Sequence, residues 1–136
     1  MTDQPIAIQG FHHLAMRVRD FDASVRFYTQ ALGFTSKITW GEGDKRAIML
    51  DCGNSNYLEI FAGAQADRPE GVLLHFALRT TDVDGAVQRA VAAGAEVTLP
   101  PANTIIPAHP APVPVRYAFL KGLDGEIIEF FDSEAV

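Results

Sequence analysis

Two histidines and two glutamates are the residues of this 136-residue chain best suited to do chemistry, because they recur at matched places. The stretch from His13, HLAMRVRDFDASV, aligns without a gap on the stretch from His75, HFALRTTDVDGAV, at an offset of 62. Identities fall at His13/His75, Ala15/Ala77, Arg17/Arg79, Asp20/Asp82, Asp22/Asp84 and Val25/Val87. Further along, YLEIF (57–61) matches IIEFF (127–131), which sets Glu59 opposite Glu129 at an offset of 70. The chain is therefore two copies of one module. A strand glutamate flanked by aromatic and aliphatic neighbours is costly unless its charge is compensated. Two of them, with two imidazoles at corresponding repeat positions, suit one shared divalent cation such as Zn, Ni, Co, Fe or Mn, and the lack of thiolate partners argues against a structural zinc finger. Ion pairing is the competing reading, since Arg17 and Arg79 fall on the same strand faces as the histidines.

The elements that must position these residues follow from periodicity. GFHHLAMRV alternates as a strand, with Leu14, Met16 and Val18 on one face and His13, Ala15 and Arg17 on the other. Phe21, Val25, Tyr28 and Leu32 then recur at helical spacing, with Asp20 or Asp22 available to cap the start and Gly33 to end the helix. TSKITW, KRAIMLD and NYLEIFA are strands separated by the turn signals GEGD and CGNSN. The second half repeats the plan: strand LLHFALRT, helix VDGAVQRAVAAG, strands EVTLP, VRYAFLK and EIIEFFD, with KGLDGE as the last turn. The Pro-rich run LPPANTIIPAHPAPVPV (99–115) has no counterpart in the first half and is expected to be a loop. In each module the first and fourth strands are apolar on both faces, so one face receives the helix and the other lines an interior surface. Both histidines and both glutamates lie on that second face.

Composition narrows the class. With 48% apolar and 21% charged residues, a net charge of −6 and a pI near 5.0, the chain is globular and poorly suited to nucleic-acid phosphates, whose counterion release needs a basic surface. No apolar run is long enough to span a bilayer, and MTDQPIAIQG lacks the layout of a secretory signal. The single cysteine, Cys52, excludes an intrachain disulfide and fits a reduced, cytoplasmic setting. Cys52 is expected to be a buried, inert thiol, and His12 to point to the face opposite His13. His109 is expected at the surface of the Pro-rich loop. No phosphate loop, nucleophile elbow or dinucleotide fingerprint is present.

With HLAMRVRDFDASVRFYTQALGF, LHFALRTTDVDGAV and DGEIIEFF, the chain resembles the vicinal oxygen chelate superfamily from about Phe11 to Asp132. That superfamily includes glyoxalase I, fosfomycin-resistance enzymes, extradiol dioxygenases, methylmalonyl-CoA epimerase and bleomycin-resistance proteins. The resemblance implies an α+β fold in which two tandem βαβββ modules, here 7–63 and 71–133, form one domain over 1–136 with a curled mixed sheet enclosing a cup. It places the metal ligands at His13, Glu59, His75 and Glu129. The complete set of two histidines and two glutamates is similar to glyoxalase I and favours Zn, Ni or Co, with Fe or Mn compatible. Dioxygenases and fosfomycin enzymes use two histidines and one glutamate, the epimerase has Gln in place of Glu59, and bleomycin-binding members lack the ligands. Arg17 matches the arginine that contacts the glutathione carboxylate. Gly63 stands where glyoxalase I has Asn, and the Pro-rich loop is a second departure.

The implied activity is a glyoxalase I type lyase or isomerase acting on a small oxygenated substrate such as a hemithioacetal, through a metal-stabilised enediolate, with Glu129 as the catalytic base. A non-haem iron dioxygenase or thiol transferase is the alternative enzyme, and a small-molecule binding or resistance protein the alternative without catalysis. Phe61, Phe131, Tyr57 and Trp40 are candidates for pocket walls or for core packing. The expected partners are a small-molecule substrate and a second copy of the chain in a homodimer, with no nucleic acid and no membrane. The cup can be built within one chain or across two, and sequence leaves that open.

Overall fold

A computed structural model describes residues 8–31, 33–65, 71–122 and 125–136. Leu32, Ala7 at the edge of the first module, and two residues of the KGLDGE turn lie outside the described residues. The first half runs β1 (Ile8–Arg17), α1 (Phe21–Arg26), β2 (Thr35–Trp40), β3 (Ala47–Asp51) and β4 (Tyr57–Phe61). The second runs β5 (Leu73–Thr80), α2 (Val83–Ala92), β6 (Glu96–Ile106), β7 (Val113–Lys121) and β8 (Ile127–Asp132). Each half is thus strand, helix and three strands, as the repeat implies. Asp20 and Asp82, one repeat apart, cap the two helices by accepting from the backbone N–H of Ala23 and Gly85.

All eight strands form one curled mixed sheet in the order β2-β3-β4-β1-β5-β8-β7-β6. Within each half the first and fourth strands pair in parallel, β1 with β4 and β5 with β8. The halves join where β1 and β5 run antiparallel side by side. Two cores lie beneath the helices: Met16, Ile48, Leu50, Leu58 and Ile60 with α1, and Val83, Val87, Ala118, Leu120 and Phe130 with α2. A third fills the concave side with Ile38, Met49, Tyr57, Ala77, Val115 and Phe131, against which Trp40 packs. Burying each large aliphatic side chain here contributes about 1.5–3 kcal/mol.

Three expectations about local structure need correction. The first helix is α-helical only to Arg26 and continues as a π turn over Phe27–Ala31. There the Thr29 hydroxyl donates to the Val25 carbonyl, competing for the acceptor that an α-turn would use. The Pro-rich run is mostly strand rather than loop, because β6 continues to Ile106 and pairs with β7 through Pro114. Proline is tolerated there because β6 is an edge strand, and the register shifts where Pro100 and Pro101 lack N–H donors. The hairpin tip then reaches back to the far edge of the sheet, where Thr39 and His109 exchange backbone hydrogen bonds of 3.0 and 2.8 Å. Finally, Cys52 is exposed, its thiol donating to the Asn56 carbonyl.

Candidate metal centre

The strand register places the four repeat residues together on the concave face. Ala15 of β1 has Glu59 of β4 on one side and His75 of β5 on the other. Ala77 of β5 likewise has His13 of β1 on one side and Glu129 of β8 on the other. Two cross-strand rows result, each a histidine and a glutamate with a fully buried alanine between them. The rows are related by the antiparallel β1–β5 pairing, so each histidine shares a row with the other half's glutamate. The repeated alanines add little bulk between the histidine and glutamate that flank each of them.

The four side chains meet within a single chain. Nε2 of His13 lies 3.4 Å from Oε1 of Glu59 and 3.0 Å from Oε1 of Glu129. Nε2 of His75 lies 3.6 and 3.1 Å from the same two oxygens, and the two Nε2 atoms are 3.2 Å apart. Atoms ligating one ion at about 2.0–2.2 Å sit roughly 3.0–3.5 Å from one another, so this spacing suits a shared cation. His13, His75 and Glu129 form the tightest set, with ligand atoms mutually within 4.8 Å; Glu59 approaches both imidazoles but stands outside that set. His13, Glu59 and Glu129 are buried, and His75 is the most open of the four.

Electrostatics mark the cluster as short of positive charge. Burial pushes the Glu59 carboxyl up, and the Glu129 charge adds to this, while His13 and His75 offset only part. Burial also acts against ionised Glu129, but hydrogen bonds and charge from His13 and His75 outweigh it and hold that carboxyl below its ordinary range. For His13, burial is outweighed by the Glu59 charge and the Glu129 contact, and its pKa is raised. Two buried carboxylates and two imidazoles form a donor set that suits a divalent cation.

The arginines that competed for these carboxylates have other contacts. Arg17 donates to the Ala62 carbonyl and stacks over Phe61. Arg79 donates to the carbonyls of Val136 and Ser55. Tyr57 and Phe131 are buried in the concave core, and Trp40 packs edge-on against Phe61. The His109 side chain is exposed, and its backbone is what bridges to Thr39.

His12 departs from expectation. A register shift opposite β5 between Phe11 and His13 breaks the alternation, so His12 is buried beside His13 instead of facing away. Its Nδ1 lies 2.7 Å from Nδ1 of His13, and its ring packs against Tyr57 and Phe131. Burial, followed by the charges of His13 and Arg79, lowers its pKa to about 3. The His-His doublet was visible in sequence, but a bulge has no local signature that assigns its direction.

A cavity of about 440 Å³ opens beside His75, walled by Leu74, Leu99, Phe119 and Ile127 with Thr98 and Lys121. Among the described residues, no helix is long and apolar enough to cross a membrane.

Comparison with known proteins adds three findings. A profile described as Glyoxalase/Bleomycin resistance protein/Dioxygenase superfamily matches residues 10–110. An uncharacterized protein of Bacillus subtilis (strain 168), YwbC, is 32% identical over 124 residues, which is 88% of this chain and 94% of that protein. In structure, the chain resembles methylmalonyl-CoA epimerase from Mycobacterium tuberculosis (TM-score 0.71, 17% identity, 96% of this chain and 92% of that one). It also resembles the Mn(II)-bound glyoxalase from Novosphingobium aromaticivorans (TM-score 0.70, 19% identity, 94% of this chain and 40% of that one). At these identities the structural matches speak to the fold.

Proposed function

Because this chain belongs to the Glyoxalase/Bleomycin resistance protein/Dioxygenase superfamily, we propose that it is a divalent-metal-dependent enzyme of the glyoxalase I type, moving a proton at the carbon beside a carbonyl. The observation that carries this reading is the convergence of two imidazoles and two carboxylates at 3.0–3.6 Å on one buried face. His13, Glu59, His75 and Glu129 would hold the ion, with Zn, Ni or Co favoured and Fe or Mn compatible. Once bound, such an ion supplies Lewis-acid stabilisation of negative charge developing on a substrate oxygen.

The remaining chemistry belongs to the chain. Glu129 is the base: its carboxylate lies 3.0 and 3.1 Å from the two imidazole Nε2 atoms and can take a proton from a carbon placed above the β1–β5 seam. Glu59 is the second carboxylate ligand, the counterpart of Glu129 in the other half. The cavity beside His75, walled largely by Leu74, Leu99, Phe119 and Ile127, receives the substrate's apolar part. Arg17 keeps its place in this reading as a contact for a substrate carboxylate, set in position by Ala62 and Phe61.

Epimerisation is the second reading, favoured by the fold shared with methylmalonyl-CoA epimerase, and it needs the same proton transfer. The test begins with bound metal in gently purified or metal-reconstituted protein; lack of a stoichiometric ion removes the enzyme reading. With metal present, assays for hemithioacetal isomerisation, CoA-ester epimerisation, oxygen-dependent ring cleavage and thiol transfer separate the enzymes. Ligand affinity indifferent to chelator marks a binding protein instead.

The reading includes a homodimer. Ile8, Phe11 and Leu14 of β1, with Val72 and Leu73 beside them, are exposed along the β1–β5 seam. A contiguous apolar strip of this kind is what a second copy would cover.

A further inference from the structure

His12 touches the cluster without pointing into it. Its ring is 1% exposed and lies between Tyr57 and Phe131, with centroids 5.0 and 4.1 Å away. Its Nδ1 is 2.7 Å from Nδ1 of His13, while Nε2 of His13 faces Glu129, Glu59 and His75. Two nitrogens at that distance share one proton, which one ring donates and the other accepts. An imidazole that offers Nε2 to a cation carries its proton on Nδ1 and needs an acceptor there. Among the described residues the neighbouring imidazole takes that place. Nε2 of His12 completes no hydrogen-bond geometry among the described residues, although the Val136 backbone acts on this ring as a hydrogen-bond partner. The aromatic packing of this ring is something phenylalanine could supply; its Nδ1 contact to His13 is not.

We infer that His12 is a positioning residue that accepts the Nδ1 proton of His13 and thereby fixes the tautomer whose Nε2 lone pair is presented to a divalent cation. The inference rests on the metal reading of the cluster. The bulge in β1 acquires a purpose on this view, since regular alternation would have sent His12 to the other face.

The test compares wild type with His12→Phe, which keeps a ring between Tyr57 and Phe131, and His12→Asn, whose side-chain oxygen can stand where Nδ1 stood. Zn(II) affinity is measured by chelator competition. The shared proton is located by its one-bond coupling to the nitrogen that carries it, and the nitrogen–nitrogen coupling across the hydrogen bond identifies the acceptor, in metal-free and Zn(II)-loaded protein. In wild type the proton is expected on the His13 nitrogen, coupled to His12. His12→Phe is expected to weaken Zn(II) binding about 10- to 100-fold, and His12→Asn to recover most of that loss. Wild-type affinity in a folded His12→Phe, or a proton residing on the His12 nitrogen, overturns the inference. If His12→Phe does not fold, the proton's location and the His12→Asn affinity still decide. If wild type itself binds no Zn(II), the metal reading falls, and the metal-free spectrum still shows whether His12 accepts from His13.

Discussion

Ala15 and Ala77 occupy equivalent places in the two halves, and each lies in a cross-strand row between a histidine and a glutamate, Ala15 between His75 and Glu59, Ala77 between His13 and Glu129. Both are 0% exposed. The smallest chiral side chain thus recurs where the sheet must leave room above itself, and the identity seen in the repeat acquires a spatial reason.

Filling that room should displace the ion. Ala77→Leu puts three extra carbons between His13 and Glu129. It is expected to abolish stoichiometric Zn(II) binding and to cost about 1–3 kcal/mol from overpacking. Equilibrium dialysis and urea denaturation measure the two effects, and undiminished binding would count against an ion over this row.

Glu129→Gln keeps the shape of the side chain and removes the carboxylate proposed as the base. With the reactive substrate identified, kcat should fall about 10²- to 10⁴-fold. A larger loss in Glu59→Gln, with Glu129→Gln near wild type, would exchange the roles of the two carboxylates.

Metal should stabilise the fold through linkage. At a free ion concentration 100 times Kd the gain is about 2.7 kcal/mol, read as a rise in Tm that EDTA reverses. His13→Ala is expected to lose that increment, and an equal metal-dependent rise in this variant would argue for a site elsewhere.

His12 should carry a separable pH dependence. Folded, it takes up a proton only near pH 3; unfolded, near 6.5. Between those values the unfolded chain binds more protons, so His12 lowers wild-type stability as pH falls. The raised His13 and Glu59 act in the opposite sense, their contributions lost as pH rises through the folded values. The lowered Glu129 contributes above 4.5 and is lost as pH falls below it. These shared contributions largely cancel in the difference between metal-free wild type and His12→Phe. Relative to wild type, the variant should gain stability as pH drops from 6.5 to 4.5, at a rate that rises toward about 1.4 kcal/mol per pH unit. Urea denaturation across that range checks the slope, and a constant difference would contradict a buried neutral His12.

The four side chains meet within one chain, so mixing His13→Ala and His75→Ala subunits should restore no site. Recovered Zn(II) binding in mixed dimers would point to a cup shared between subunits. Leu73→Glu, on the exposed β1–β5 seam, should lower the mass measured by light scattering to that of a monomer and leave Zn(II) binding intact.

Much of this protein was legible in the residue order because the relevant forces are local. Alternation of apolar residues marks strands, Asp20 or Asp22 announces the first helix, and a repeat in register carries a repeated fold. His13, Glu59, His75 and Glu129 could be picked out because duplication doubled a pattern too polar for a strand interior. Tertiary structure decided how the halves join. The antiparallel pairing of β1 with β5 crosses the rows, setting His13 beside Ala77 and Glu129, and His75 beside Ala15 and Glu59. It also decided the direction of His12, since a bulge arises from how two strands fit, and the course of the Pro-rich hairpin, whose prolines are accommodated because β6 is an edge strand. Residue order encodes which side chains want burial or a charge partner; which of them become neighbours depends on long-range strand pairing, whose register is set by the packing of the whole sheet.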